Sequence, residues 1–212
     1  MDILGGLMSF EGRADVFTAH LYINGYPLVL NQQYLQTKLL NKRLTAEQRV
    51  EFEAGLADKV FPRFVTLADY DDDAPLLFQF VSVGEKKYEV YAKLPGKYDG
   101  WRLAIDQQGR HLEVTDEAAL STFSLIREGA ERALYKDFGP GPSQVILVSE
   151  ERQSGMYLAR SNYRDKHGST LKNDYSNIIV DVNPNFTGHD AFNGRVAKFL
   201  LKVVDEPQVT DF

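Results

Sequence analysis

The chain contains no cysteine. That absence rules out disulfides, thiol nucleophiles and cysteine-based zinc or iron–sulfur sites. It also lacks the G-x-x-x-x-G-K-[ST], G-x-G-x-x-G and G-x-S-x-G patterns, so phosphate-loop, dinucleotide and hydrolase-elbow chemistry lose their usual support. No stretch approaches the roughly 18 consecutive apolar residues that a spanning helix needs. The first residues show no basic segment followed by a long apolar run, as a signal peptide would. These absences point to a soluble chain with no membrane partner, in the cytoplasm or a virion. No cofactor and no metal are expected. Basic excess is missing too: the formal charge is −6, which argues against a broad nucleic-acid footprint.

What is present is ordinary for a globular protein, with 43% hydrophobic and 25% charged residues. Eleven Tyr and thirteen Phe favour a β-rich fold, because aromatic side chains fit a pleated, half-buried surface. Residues 76–114 read as four short strands joined by tight turns. Tyr88, Val90, Ala92 and Leu94 alternate with Glu89, Tyr91 and Lys93, the period of a strand with one buried face. Connections this short join antiparallel neighbours. Thr115 then reads as an N-cap, followed by Asp116 and Glu117 where negative charge suits a helix dipole. Leu120, Phe123, Ile126, Ala130 and Leu134 recur at helical steps, and 139–142 is a Gly-Pro-Gly-Pro stop. The spacing predicts a long helix over 116–137, seated on one face of the meander.

On the N-terminal side, residues 17–23 and 26–30 flank Asn24-Gly25, the strongest short hairpin signal. Pro27 marks the return strand as an edge, since proline cannot donate to a ladder. Residues 31–44 have helical character. Thr45 and Gln48 form a capping box that opens a second helix near 45–61, with Phe52, Leu56 and Val60 as its stripe. Residues 144–148, 155–160, 178–182 and 195–204 read as strands. The expected fold is α+β: a mostly antiparallel sheet with a four-strand meander packed by a long helix, plus an N-terminal hairpin and helix. Residues 1–68 form the hairpin–helix extension and 69–212 the main body, together one compact domain.

Candidate chemistry lies in two polar loops, 161–175 and 183–194. His167 and His189, with Asp165, Asp190 and Arg164, would supply general acid–base catalysis on a phosphodiester without a metal, if the loops meet. The competing reading is two solvated hairpin tips, and no motif fixes a geometry. Asp69, Asp71 and Asp73 fall at alternate positions, but the glycine and distal glutamate of an EF-hand are missing, so a solvated acidic loop is favoured. Tyr98, Trp101, Tyr157 and Tyr163 would serve as stacking platforms for single-stranded nucleic acid. The last eight residues, acidic and ending in Phe212, resemble the partner-recruiting tip of single-stranded-DNA-binding proteins. That resemblance implies nucleic-acid binding as an alternative, alongside a metal-independent nuclease or hydrolase using the loop histidines. The missing catalytic motifs and edge-like terminal strands favour a third reading: a non-catalytic structural or assembly protein, such as a subunit of a phage particle or another multiprotein machine. Its partners would be proteins or further copies of itself.

Overall fold

The structure, a computed structural model, describes residues 14–106, 111–117, 121–127, 129, 131–138, 141–161, 163–164, 170–171, 176–180, 189–191 and 196–210. It opens with β1 (Ala14–Ile23) and β2 (Tyr26–Leu30). Asn24 and Gly25 between them have φ of 52° and 89°, the positive pair a type I′ hairpin turn requires. Two helices follow, α1 (Asn31–Leu39) and α2 (Ala46–Ala57). After a 3-10 turn at Phe61–Arg63 the chain returns to the sheet as β3 (Val65–Leu67).

The meander is as expected. β4 (Leu77–Ser82), β5 (Tyr88–Lys93), β6 (Arg102–Ile105) and β7 (Leu112–Thr115) pair antiparallel, each with its chain neighbour. The predicted 116–137 helix is not there. Its described residues form β8 (Phe123–Ile126), β9 (Arg132–Ala133) and a 3-10 turn at Tyr135–Asp137. The Thr115 hydroxyl does accept from the Glu117 amide at 3.2 Å, but this closes a turn at the end of β7. Gly129, at φ 107°, sits in the turn between β8 and β9, a conformation that breaks a helix. Phe123, Ser124 and Leu125 are all buried. A short strand covered on both faces carries no alternation, and periodicity alone does not separate it from a buried helical turn.

The chain continues through β10 (Ser143–Ser149), β11 (Ser154–Ser161), β12 (Tyr163–Arg164), β13 (Thr170–Leu171), β14 (Ser176–Val180), β15 (His189–Ala191) and β16 (Phe199–Thr210). β12 and β13 form a separate two-stranded hairpin. The other fourteen strands make one antiparallel network, and the protein is α+β. β16 runs past the expected end at 204, because β1 offers it an edge from Ala14 to Tyr22. Residues 205–210 are therefore strand, with Asp205, Gln208, Val209 and Thr210 paired to β1; 211–212 lie outside the described residues.

The pairings close into two rings. β1, β16, β10, β8, β5 and β4 pair in that order, and β4 returns to β1. β1, β2, β3, β14, β11, β10 and β16 make a second circuit, and β16 again returns to β1. The rings share β1, β16 and β10. Since β16 occupies one edge of β1, β4 and β2 divide the other, joined by the Leu76 amide donating to the Leu28 carbonyl at 2.9 Å. Register shifts in β1 on either side of Thr18 accommodate the bend such a shared strand needs. β2 is thus an interior strand between β1 and β3, not the edge that Pro27 implied. Pro27 is tolerated because it sits second in the strand and its carbonyl accepts from Ala68.

Closure, not a covering helix, hides the apolar face. Phe17, Phe80, Tyr88, Phe123, Leu147 and Leu201, one from each strand of the first ring, are fully buried in one cluster. Phe17 stacks on Phe80 at 4.8 Å, and both meet Tyr88 edge-on. Burial raises the Tyr88 phenol pKa, and its oxygen accepts from the Tyr135 amide at 3.0 Å. Small barrels are filled by side chains in this way.

Candidate functional site

β2 is buried on both faces. Leu28 and Leu30 enter the main core, whereas Val29 enters a second, smaller cluster with Tyr34, Leu35 and Ala68. That second cluster seats the helices. Asn31 starts α1 directly from β2; its side chain donates to the Phe61 carbonyl at 3.1 Å, and its amide to the Phe64 carbonyl at 2.8 Å. Tyr34 donates to Asp69 at 3.2 Å, Lys38 pairs with the same carboxylate, and the ammonium lies 5.1 Å from the Tyr34 ring centre. α1 is therefore fixed at several points.

α2 is fixed differently. The predicted capping box forms, with the Gln48 amide donating to the Thr45 hydroxyl at 3.1 Å and the Thr45 amide to Gln48 Oε1 at 3.0 Å. At the other end, Asp58 Oδ1 accepts from the amides of Val60 and Phe61 at 2.7 and 2.8 Å. The Phe61 and Val60 amides hold this carboxyl below its ordinary value. Yet no residue of this twelve-residue helix is buried. Phe52 and Leu56 are partly covered by the small cluster. Gly55 lets α2 approach α1: a Cβ there would lie 3.1 Å from Leu35 Cδ1.

The result is an open groove of about 370 Å³ between α1, α2 and the 3-10 turn. Leu35, Phe52, Gly55, Phe61 and Phe64 form its apolar floor, and among the described residues Glu51 and Asp58 are its charged lining, with no serine, threonine, histidine, lysine or arginine. Beside it Val50 and Val60 are 65% and 43% exposed. Such an arrangement can accommodate apolar side chains; its described lining holds no nucleophile and no base apart from carboxylates.

Behind the floor lies a cluster of ionisable groups that sequence reasoning missed. Phe64 stacks on His111 at 4.8 Å and bridges in backbone to Glu113. Arg63 meets Glu113 at 3.0 Å, and His111 lies 3.6 Å from Asp106 through Nδ1, with its amide donating to the same carboxylate at 2.6 Å. Desolvation raises the Glu113 pKa; Arg63 opposes this, and Asp106 and Glu117 add to it. These groups pair with one another, so the cluster ties the 3-10 turn to the β6–β7 hairpin. No sequence signal joins residues 63 and 113, which are brought together only by topology.

The predicted site residues that fall among the described ones lie in the β5–β6 loop, β11, β12 and β15. His189 and Asp190 lie in β15, where their backbones pair with Ser161 and Arg160 of β11. Arg164 lies in β12 opposite Thr170. Asp165 and His167 lie outside the described residues. The start of the 161–175 segment and the 189–191 strand are thus neighbours in backbone. Tyr98 is buried and meets the half-buried Trp101 edge-on at 4.8 Å, so its ring faces the core. Tyr157 is half-buried in β11, and Tyr163 is in β12. Among the described residues no group of three or more His, Asp or Glu is placed to hold a metal ion, and no helix is long and apolar enough to cross a membrane. A comparison with protein-family models, with curated proteins and with solved structures finds no match for this chain.

Proposed function

We propose that the protein is a non-catalytic component of a multiprotein assembly, of the kind from which a phage particle is built, and that it docks a protein partner through the α1–α2 face. The observation that supports this is α2 itself. An isolated helix shorter than about 12–15 residues is marginal in water. α2 buries none of its residues, leaves Val50 exposed and borders a groove with a phenylalanine-rich floor. Covering a Leu or Val side chain contributes about 1.5–3 kcal/mol, which a partner seated there would supply. The lining offers an apolar floor with an acidic rim, a recognition surface with little chemistry of its own.

The test is chemical cross-linking of the native protein in its source, read by mass spectrometry. Intermolecular links from Lys38, Lys42 or Lys59, on or beside the helices, are expected to dominate. A protein that yields only intramolecular links, and sediments as a bare monomer from its native source, ends this reading.

A further inference from the structure

The rim of the groove and the corner between α1 and α2 have opposite charge. Resting on the docking reading above, we propose that the groove's occupant is the α1–α2 corner of a second copy of this chain. At that corner Leu40 stands 80% exposed, and half-buried Leu39 and Leu44 flank it. Lys42 and Arg43 beside it are exposed, and among the described residues no carboxylate pairs with either. This is an apolar plug with two cations. The groove is its counterpart, an apolar floor with two exposed anions. Asp58 Oδ1 is occupied by the Val60 and Phe61 amides, which leaves Oδ2 for a cation; Glu51, about two turns earlier on the same helix, also lines the groove and is exposed.

Plug and socket do not meet within one molecule. Leu40 borders a different hollow on the far side of α1, with Tyr34, Thr37 and Ala68. They use different residues of one helical pair, so the corner of one copy can face the groove of another in a heterologous contact. Leu40 would enter the floor, while Lys42 and Arg43 reach Glu51 and Asp58. Ion pairs this exposed add little net affinity and chiefly fix orientation, and salt weakens them.

Sedimentation velocity of the purified full chain over a range of concentration and salt tests this. Wild type is expected to self-associate, less so at high salt. Leu40→Asp is expected to weaken association at least about tenfold, as is Lys42→Glu combined with Arg43→Glu. All three positions are exposed, so each variant should melt as wild type does. Adding Glu51→Arg to the Lys42→Glu, Arg43→Glu chain restores opposite charge at one of the two contacts, Asp58 remaining acidic, and is expected to recover part of the association. A wild type that stays monomeric overturns the inference. So does association that Leu40→Asp and the charge reversals leave unchanged, but that result leaves docking on another face open. Loss of cross-links to every partner in the native source would instead remove the docking reading itself.

Discussion

Replacing Arg63 by Met should cost stability that depends on pH. Arg63 and Glu113 face each other at 3.0 Å with side chains only 17% and 10% exposed. Removing one partner of a fully buried pair costs about 3–5 kcal/mol, because the other charge is left uncompensated. Some solvent reaches this pair, so about 2–3 kcal/mol is expected near neutral pH. The Glu113 carboxyl already sits above its ordinary value of 4.5, chiefly through desolvation. Without the guanidinium, desolvation, Asp106 and Glu117 act unopposed and raise it further. Between 4.5 and that raised value the folded chain holds a proton the unfolded chain has released. Stability from this group is therefore complete below the unfolded value and is lost as pH rises through the folded one. The Arg63→Met deficit should accordingly shrink from pH 7 to about pH 5. Urea unfolding followed by the single tryptophan, Trp101, reads both. Adding Glu113→Leu should recover most of the loss, since an apolar pair in place of an ionic one is often neutral. A deficit equal at both pH values, or a double variant no more stable than the single, would refute an electrostatic clamp.

Two further outcomes separate the closed sheet from the helical appendage. Phe17→Ala removes a ring stacked on Phe80 and tilted against Tyr135, and should cost about 3–5 kcal/mol in a global urea melt. Thr45→Ala removes the cap of a helix that lies outside the main core and touches only the small second cluster, through Phe52 and Leu56. It should loosen α2 by about 1 kcal/mol, seen as faster amide exchange within Ala46–Ala57, with little change in the global midpoint. A midpoint shift approaching that of Phe17→Ala would show that α2 unfolds together with the sheet.

Local chemistry was legible in the sequence and closure was not. The Asn24-Gly25 turn, the Thr45–Gln48 capping box and the alternation of Tyr88, Val90 and Ala92 each act over a few residues, and each appears where expected. The failure at 116–137 has the opposite character. Leu120, Phe123, Ile126, Ala130 and Leu134 match a helical stripe, yet Phe123, Ser124 and Leu125 are all buried in a strand that pairs with β10 and β5 from elsewhere in the chain. A residue pair such as Tyr88 and Phe123, which joins the first ring, leaves no trace in periodicity. The same holds for Arg63 with Glu113. Leu40, Val50 and Val60 were legible as apolar residues, but their exposure depends on α2 standing outside both rings.

That separation bears on where a partner can bind. An open antiparallel sheet presents its edges to neighbours, whereas a ring consumes them. Here β1, β16 and β10 serve both rings, and only β7 and β15 end the main path of the network. β7 is short and bridges to Phe64 through Glu113, so part of its outer edge is already occupied. The exposed strand edges first expected to recruit partners are thus scarce among the described residues. Among the described residues, the exposed large apolar side chains Leu40, Val50 and Val60 lie on or beside the helical pair, and Tyr26, Tyr70, Val83 and Val204 lie singly elsewhere; α2 has a capped start, an Asp58-bound end and no buried residue. If a neighbour docks on this protein, the physics of closure directs it to α2 ahead of the sheet.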